Sequence, residues 1–158
     1  MGHKRGKYLA IDTTNELLYL ATFAKEILKL DVTGSVILKA TPYSTMYIFS
    51  IDLSADLTKL LVVGSDDTTK CLMIVLSTSD LSILNYSRFT TTSSCFRSVN
   101  AGGKWFMAGY EVDVPGVFLE MQQGSYALQK KLIYKPGING NTHCMIVEAS
   151  TANVYLGC

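Results

Sequence analysis

The sequence predicts an all-β fold in which a unit of four short antiparallel strands recurs along the chain. Two phrases alternate, and each consists of a short apolar run, a polar turn and a second apolar run. Runs of this length bounded by turn residues are typical of strands. The first phrase carries a β-branched residue followed by an acid or amide, at spacings of 40, 48 and 48 residues, in Ile11-Asp12, Ile51-Asp52, Val99-Asn100 and Val147-Glu148. Four strands in each period of about 40–50 residues predict the blades of a β-propeller.

The first phrase predicts the opening strand pair of each blade. Its copies span residues 8–22, 49–65, 97–109 and 145–158. In each copy the polar residue that closes the first strand suits an Asx-type turn, because its side chain can accept hydrogen bonds from the backbone just ahead. Residues 17–30 hold a weaker alternative, a helix capped by Thr13 with Glu16 three residues on. The corresponding copies are too short and too rich in β-forming residues for a helix, so strands are favoured.

The second phrase predicts the closing strand pair. Its copies span residues 26–40, 72–86 and 117–132, and each again consists of strand, turn and strand. Proline lacks the N–H that a strand ladder needs, so Pro42, Pro115 and Pro136 are all expected between strands.

These phrases divide the chain into a basic N-terminal tail and about three and a half blades. The tail is residues 1–6, the blades are residues 7–45, 46–92 and 93–140, and the half blade is residues 141–158. Closed propellers have about 4–8 blades, so we expect a sector of a ring that further polypeptide or another chain completes. The apolar share of 48% in 158 residues then corresponds to surface between blades.

Two segments resemble parts of a WD40 repeat. Residues 50–69 run through a strand, a polar turn, a small-residue strand that ends in Gly64-Ser65, and a turn with an aspartate, while residues 27–34 are similar to the repeat's closing phrase. Leu30 stands where tryptophan is usual, no Gly-His pair opens a repeat, and no Trp-Asp pair closes one. The resemblance covers about three and a half repeats and implies a degenerate WD40-like propeller, or one of the YVTN or quinoprotein-like kind.

Composition excludes several classes of protein. The net charge of +1 and the 17% charged residues argue against a disordered chain and against a nucleic-acid binder that neutralises phosphates. No apolar run approaches the roughly 20 residues of a membrane-spanning helix. Asp12 and Glu16 interrupt the apolar stretch behind the basic start, so we expect no secretory signal and a cytoplasmic location.

The cysteines and histidines form no pattern that predicts a metal or catalytic site. The four cysteines lack a C-x-x-C pair and are expected as free thiols in a reducing compartment: Cys71, Cys95, Cys144 and Cys158. His143, in the connection before the half blade, is expected as a surface loop residue, since no partner pattern makes it a catalytic base. We therefore predict no catalytic residue, no metal ligand and no cofactor.

Loop residues are the candidates for contact with other proteins. Acids and aromatic residues follow the second strands or lie in the connections, and tyrosine is enriched at protein interfaces. The acids lack the spacing of a calcium loop. The candidate contact residues are Asp66, Asp67, Tyr110, Glu111, Asp113, Tyr134 and His143.

The function expected from these observations is a non-catalytic protein–protein interaction scaffold within a larger assembly. Its partners would be other proteins or further blades of the same propeller. Two alternatives remain open, because a fold does not determine a function. One is a fragment of a propeller-class enzyme, such as a hydrolase, lyase or quinoprotein-like oxidoreductase, whose active groups lie elsewhere. The other is an extracellular propeller with disulfides and a glycosylated Asn85-Tyr86-Ser87 sequon.

Overall fold

The computed structural model describes residues 6–66, 68, 70–89, 92–111, 114–133, 144–148 and 153–157. In these ranges the chain forms fourteen strands and no helix, and hence no helix that could cross a membrane. Within each sheet, strands that are consecutive in the chain pair antiparallel, and they form three four-stranded sheets and one hairpin. This is the meander architecture that the repeated phrases predict.

The sheets are named as blades in chain order. Blade 1 consists of β1 (Gly6–Asp12), β2 (Leu17–Thr22), β3 (Ile27–Asp31) and β4 (Val36–Ala40). Blade 2 consists of β5 (Tyr47–Leu53), β6 (Lys59–Ser65), β7 (Cys71–Ser77) and β8 (Ile83–Phe89). Blade 3 consists of β9 (Thr92–Ala101), β10 (Lys104–Glu111), β11 (Val114–Gln122) and β12 (Leu128–Ile133). The hairpin consists of β13 (Cys144–Glu148) and β14 (Asn153–Gly157).

One detail of the strand prediction is wrong, and it concerns Pro115. Residues 17–30 form β2 and β3, which confirms the favoured prediction over the alternative helix, because β2 pairs along its length with strands on both sides and these ladders outweigh local capping. Pro115 lies inside β11, at its second residue, where the ladder to β10 is irregular between Gly109 and Glu111. A proline is tolerated at such a position because no regular ladder bond is required of it. Pro42 lies between β4 and β5 as predicted, and Pro136 lies outside the described residues.

Blade 2 is buried on both faces. Successive side chains of a strand point to opposite faces, so neighbours on β6 and β7 enter different cores. Leu60 and Val62 pack in the cluster shared with blade 1, whereas Leu61 and Val63 pack with Trp105 of blade 3. All four of these aliphatic side chains are fully buried. Burial on both faces explains why these strands are continuous apolar runs in the sequence.

The first strands of the sheets are neighbours in space. β5 contacts β1 on one side and β9 on the other, and β13 contacts β9. Hydrogen bonds join them: the Ser98 amide and hydroxyl both donate to Oγ of Ser50, at 3.2 and 3.0 Å. The turns β1–β2, β5–β6 and β9–β10 therefore lie together at one end of the blades, which we call the β1–β2 end. The turns between second and third strands lie at the other, the β2–β3 end.

Candidate functional site

Asp12 closes β1 at the β1–β2 end. Its side chain is almost fully buried. One carboxylate oxygen accepts hydrogen bonds from the backbone amides of Thr14 and Asn15, at 3.0 and 2.9 Å, and the other accepts one from Nδ2 of Asn15 at 2.8 Å. Burial by itself raises the pKa of Asp12, but these hydrogen bonds outweigh it and hold the pKa below its usual value. The predicted Asx-type turn is confirmed here.

Asp52 occupies the corresponding repeat position as the last but one residue of β5, and its surroundings differ. Its Oδ2 atom is buried and has no hydrogen-bond partner. Burial raises the pKa of Asp52 to about 7, with a small opposing effect of the Leu53 amide. The Asx-type turn predicted at Asp52 is therefore wrong.

The turn that follows Asp52 is braced by a different carboxylate. Asp56 accepts hydrogen bonds from the Ser54 hydroxyl at 2.6 Å and from the Thr58 amide and hydroxyl at 3.1 and 2.8 Å. These bonds hold the pKa of Asp56 well below its usual range. The β5–β6 turn spans residues 54–58, one residue more than the β1–β2 turn, and the extra residue allows an internal aspartate to close it.

Of the remaining two repeat positions, the prediction is wrong at Asn100 and stays a prediction at Glu148. Asn100 accepts a hydrogen bond at 2.7 Å from Nε2 of Gln123, across its own blade rather than from its own turn, so the prediction is wrong there. Glu148 has Nδ2 of Asn153 and the hydroxyl of Tyr155 at 3.4 Å from Oε2. The residues that would form its turn, 149–152, lie outside the described residues.

Asp52 opens into a cavity of about 500 Å³ between the first strands. We call it the central cleft and define it by Ile11, Ile51, Asp52, Val99, Asn100 and Ile146. Ile11 and Ile146 are 55% and 67% exposed. All four sheets contribute aliphatic side chains to the cleft, and Ser54, Ser98 and Asn100 line it as well. The cleft thus places one carboxylate that lacks a full set of partners in a mixed polar and apolar pocket.

A second group of side chains lies at the β2–β3 end. We call it the cation–aromatic cluster, and its members are Lys7, Tyr8, Phe23, Lys25, Tyr47, Phe49 and Arg97. Nζ of Lys7 lies 4.9–5.5 Å from the ring centroids of Tyr8, Phe23 and Phe49. Lys7 also donates a hydrogen bond of 2.9 Å to the Ile48 carbonyl, which anchors blade 1 on blade 2.

The backbone places Phe23 and Tyr47, the exposed members of this cluster, next to solvent. Phe23 and Lys25 lie in the β2–β3 turn, where Lys25 has a positive φ of 65°. Tyr47 begins β5, just before the β5–β6 register shifts between Ile48 and Ser50. The two strands approach closely beside it at Gly64, where any side chain would overlap the Tyr47 carbonyl oxygen. Phe23 and Tyr47 remain 64% and 52% exposed, and Nζ of Lys25 lies 4.5 Å above the Tyr47 ring.

Asp66 is the one predicted contact residue whose side chain the structure describes. It is buried, and its Oδ1 atom accepts hydrogen bonds from the amides of Thr68 and Lys70, at 3.0 and 2.9 Å. Nε and Nη2 of Arg88 each lie 2.7 Å from its Oδ2 atom. Burial raises the pKa of Asp66, but these bonds outweigh it and lower the pKa below its usual value. Asp66 therefore braces the β6–β7 turn and ties it to β8.

The other predicted contact residues stay predictions. Tyr110 and Glu111 end β10 at the β2–β3 end, with side chains outside the described part of the chain. Asp67, Asp113, Tyr134 and His143 also lie outside it. The sequence reasoning did not select Asp52, Lys7 or Phe23 as site residues. The sequence holds one sign that Asp52 differs from Asp12. Ala55, which has no side-chain donor, stands three residues after Asp52, where the blade 1 copy has Asn15.

Cys71 corrects the prediction of free thiols. It is fully buried in the core shared by blades 2 and 3, and it is disulfide-bonded. A free thiol at Cys71 is therefore wrong, and the side chains of the other three cysteines lie outside the described ones. Among the residues that the structure describes, no group of three or more His, Cys, Asp or Glu side chains could hold a metal ion.

The fold class follows from the blades and from known structures: the chain has the fold of β-propeller blades, and WD40 propellers are among the structures it resembles. It is similar to the Cps50 (Swd1) β-propeller domain of Myceliophteria thermophila, with 12% identity, a TM-score of 0.61 and coverage of 82% of this chain and 40% of that one. It is also similar to the WD40 domain of Toxoplasma gondii coronin, with 11% identity, a TM-score of 0.65 and coverage of 92% and 38%.

A chain in the mitotic checkpoint complex is a third similar structure, with 11% identity, a TM-score of 0.64 and coverage of 81% of this chain and 38% of that one. Identities this low establish the fold alone. The chain spans about two fifths of the length of these propeller structures. No protein-family model and no curated protein matches it.

Proposed function

We propose that the chain is a non-catalytic protein–protein interaction scaffold within a larger assembly, and that the cation–aromatic cluster is its contact surface. The observation that carries this proposal is the exposure of Phe23 and Tyr47 beside Lys25 at one end of the blades. Aromatic and cationic side chains are enriched at the energetic centres of protein interfaces. Two large exposed rings next to each other are costly in water unless a partner covers them.

The cluster favours an acidic partner segment. Its three cations, Lys7, Lys25 and Arg97, are held in place by rings and by backbone carbonyls, and none of its members is a carboxylate. A small cavity of about 140 Å³ beside Phe23 and Tyr47 gives a side chain room to enter. The similar structures support a scaffold in general terms, since one of them is a checkpoint complex.

The test compares two surface variants in the native assembly. Phe23→Ser combined with Tyr47→Ser removes the exposed rings, whereas Val32→Ser removes an apolar side chain that is 61% exposed in the β3–β4 turn, at the opposite end. We expect stoichiometric protein partners of the wild-type chain, identified by crosslinking mass spectrometry, to fall at least tenfold with the double variant and to persist with Val32→Ser. Partners that persist with both variants would place the contact surface elsewhere.

One observation favours a second candidate function, an extracellular propeller. Disulfides persist in oxidising compartments, and Cys71 is disulfide-bonded. The measurement is a count of free thiols on unreduced protein taken from its native source. Two or fewer free thiols support the extracellular candidate. Four free thiols support the cytoplasmic location that the sequence predicts.

A further inference from the structure

The geometry points to the central cleft as a binding site for a lysine or arginine side chain of a partner segment, with Asp52 as its counter-ion. This inference rests on the proposed scaffold function, but it concerns the end of the blades opposite the cation–aromatic cluster. The site would hold a single cationic group inserted between the first strands of the blades.

The carboxylate of Asp52 has unmet hydrogen-bonding capacity. A buried carboxylate oxygen without a donor is unfavourable, and a donor from a ligand relieves that cost. Neighbouring donors of this chain are committed elsewhere. The Ser54 hydroxyl donates to Asp56, the Ala55 amide donates to Gln123, and the Ser98 hydroxyl donates to Ser50. Oδ2 of Asp52 therefore lacks a donor among the described residues, and a rotation of the half-buried carboxylate would present it to a ligand that brings its own N–H groups.

The shape and polarity of the cleft also suit a long side chain with a charged end. Lysine and arginine carry a charged group on an apolar stem, and the stem packs well against aliphatic side chains. Ile11, Ile51, Val99 and Ile146 supply such walls around Asp52. At about 500 Å³ the cleft has the size of an ordinary small-ligand pocket and can accept a whole side chain with part of its backbone.

The donor set selects an organic cation over a metal ion. Calcium takes about 6–8 oxygen ligands and magnesium near-octahedral coordination. Asp52 is the one carboxylate that lines the cleft among the described residues. A single carboxylate with aliphatic walls suits one ammonium or guanidinium group, which brings its own donors and needs no further ligands.

The experiment titrates the full chain with three amino-acid amides while its backbone amide signals are followed by NMR. N-acetyl-arginine amide and N-acetyl-lysine amide carry the cation, and N-acetyl-norleucine amide supplies an apolar stem without it. We expect the cationic probes to shift the amides of Leu53, Val99 and Ile146 with saturation in the millimolar range. The norleucine probe should bind at least tenfold more weakly.

Three variants assign the binding to Asp52 and its cleft. Asp52→Asn should weaken the cationic probes at least tenfold. Asp80→Asn changes the net charge equally in an exposed turn of the same blade, and it should leave their affinity unchanged. Ile11→Ser alters an exposed wall of the cleft and should weaken binding several-fold, which keeps the test informative if Asp52→Asn folds poorly.

The inference is overturned if norleucine amide binds as tightly as lysine amide, or if Asp52→Asn binds the cations like the wild-type chain. Neither result depends on Phe23 or Tyr47. A failure here therefore leaves the proposed scaffold function standing, and loss of partners from the Phe23 and Tyr47 variant leaves this inference standing.

Discussion

Asp12 and Asp52 stand at the same position of two consecutive repeats, and their carboxylates behave in opposite ways. In blade 1 the carboxylate accepts three hydrogen bonds from its own turn, and its pKa is lowered. In blade 2 one carboxylate oxygen is buried without a partner, and the pKa rises to about 7. The difference shows that a repeat position determines where a side chain stands, while the turn that follows determines what it can do.

The two turns differ in length and also at the residue three positions on. Asn15 offers Asp12 both its backbone amide and its side-chain amide. Ala55, the residue at that place in blade 2, has no side-chain donor, and its backbone amide donates instead to Oε1 of Gln123 in blade 3 at 3.1 Å. The Ala55 amide is thus engaged with the next blade and not with Asp52.

The largest effect on stability is expected where Trp105 of blade 3 contacts the end of β5. Trp105 is fully buried, and its Nε1 donates a hydrogen bond of 3.2 Å to the Leu53 carbonyl, next to Asp52. Trp105→Ala should lower the free energy of unfolding by about 3–5 kcal/mol in urea denaturation. Trp105→Phe keeps a large ring, loses the N–H donor and should cost clearly less. Equal costs for the two variants would mean that the hydrogen bond, not the packing, joins these blades.

Asp52→Asn should stabilise the protein, which would be the clearest sign of an unsatisfied carboxylate. Because the pKa is raised in the folded state, this group binds more protons folded than unfolded between about pH 4 and 7, so wild-type stability falls as pH rises through that window. The variant should gain about 1–3 kcal/mol over wild type at pH 8 and almost nothing at pH 4, measured by urea denaturation at both pH values. An equal difference at both pH values would contradict the assignment.

Asp12→Ala should destabilise the protein, which is the opposite of the effect expected for Asp52→Asn. Removing the acceptor of three hydrogen bonds from a buried turn should cost about 1–2 kcal/mol at pH 7. The pKa of Asp12 is lowered, so its contribution is complete above the ordinary pKa and is lost as pH falls through the folded value. Chemical denaturation at neutral pH checks the sign, and a stabilising effect would remove the contrast with Asp52.

Asn15→Ala should have the smallest effect on the free energy of unfolding. It removes the side-chain donor to Asp12 and leaves the backbone donor, so the expected cost is about 0.5–1 kcal/mol. The sharper measurement is an NMR titration of the two carboxylates. The pKa of Asp12 should rise towards its usual value, while that of Asp52 stays where it is. An unchanged pKa for Asp12 would mean that the backbone amides alone lower it.

The strand pattern of blade 2 was predictable because its physical basis is local. Leu60, Leu61, Val62 and Val63 alternate between two cores, and a strand covered on both sides has no polar face to interrupt the apolar run. Pro115 was not predictable in the same way. Its place in β11 depends on an irregular ladder that involves the neighbouring strand, and a single strand's sequence does not record it.

The amino-acid sequence by itself determined the repeat, the strands and the four-stranded propeller blade, because each follows from apolar periodicity and turn residues within about 50 neighbouring positions. Tertiary structure decided which aspartate became a turn brace and which became an open carboxylate. It also placed Lys7 and Arg97 among rings of β1, the β2–β3 turn and β5, and it made Cys71 part of a disulfide. Hydrogen bonds and burial between blades join residues such as Ala55 and Gln123 that lie far apart in the chain, and no local pattern encodes which donor is taken.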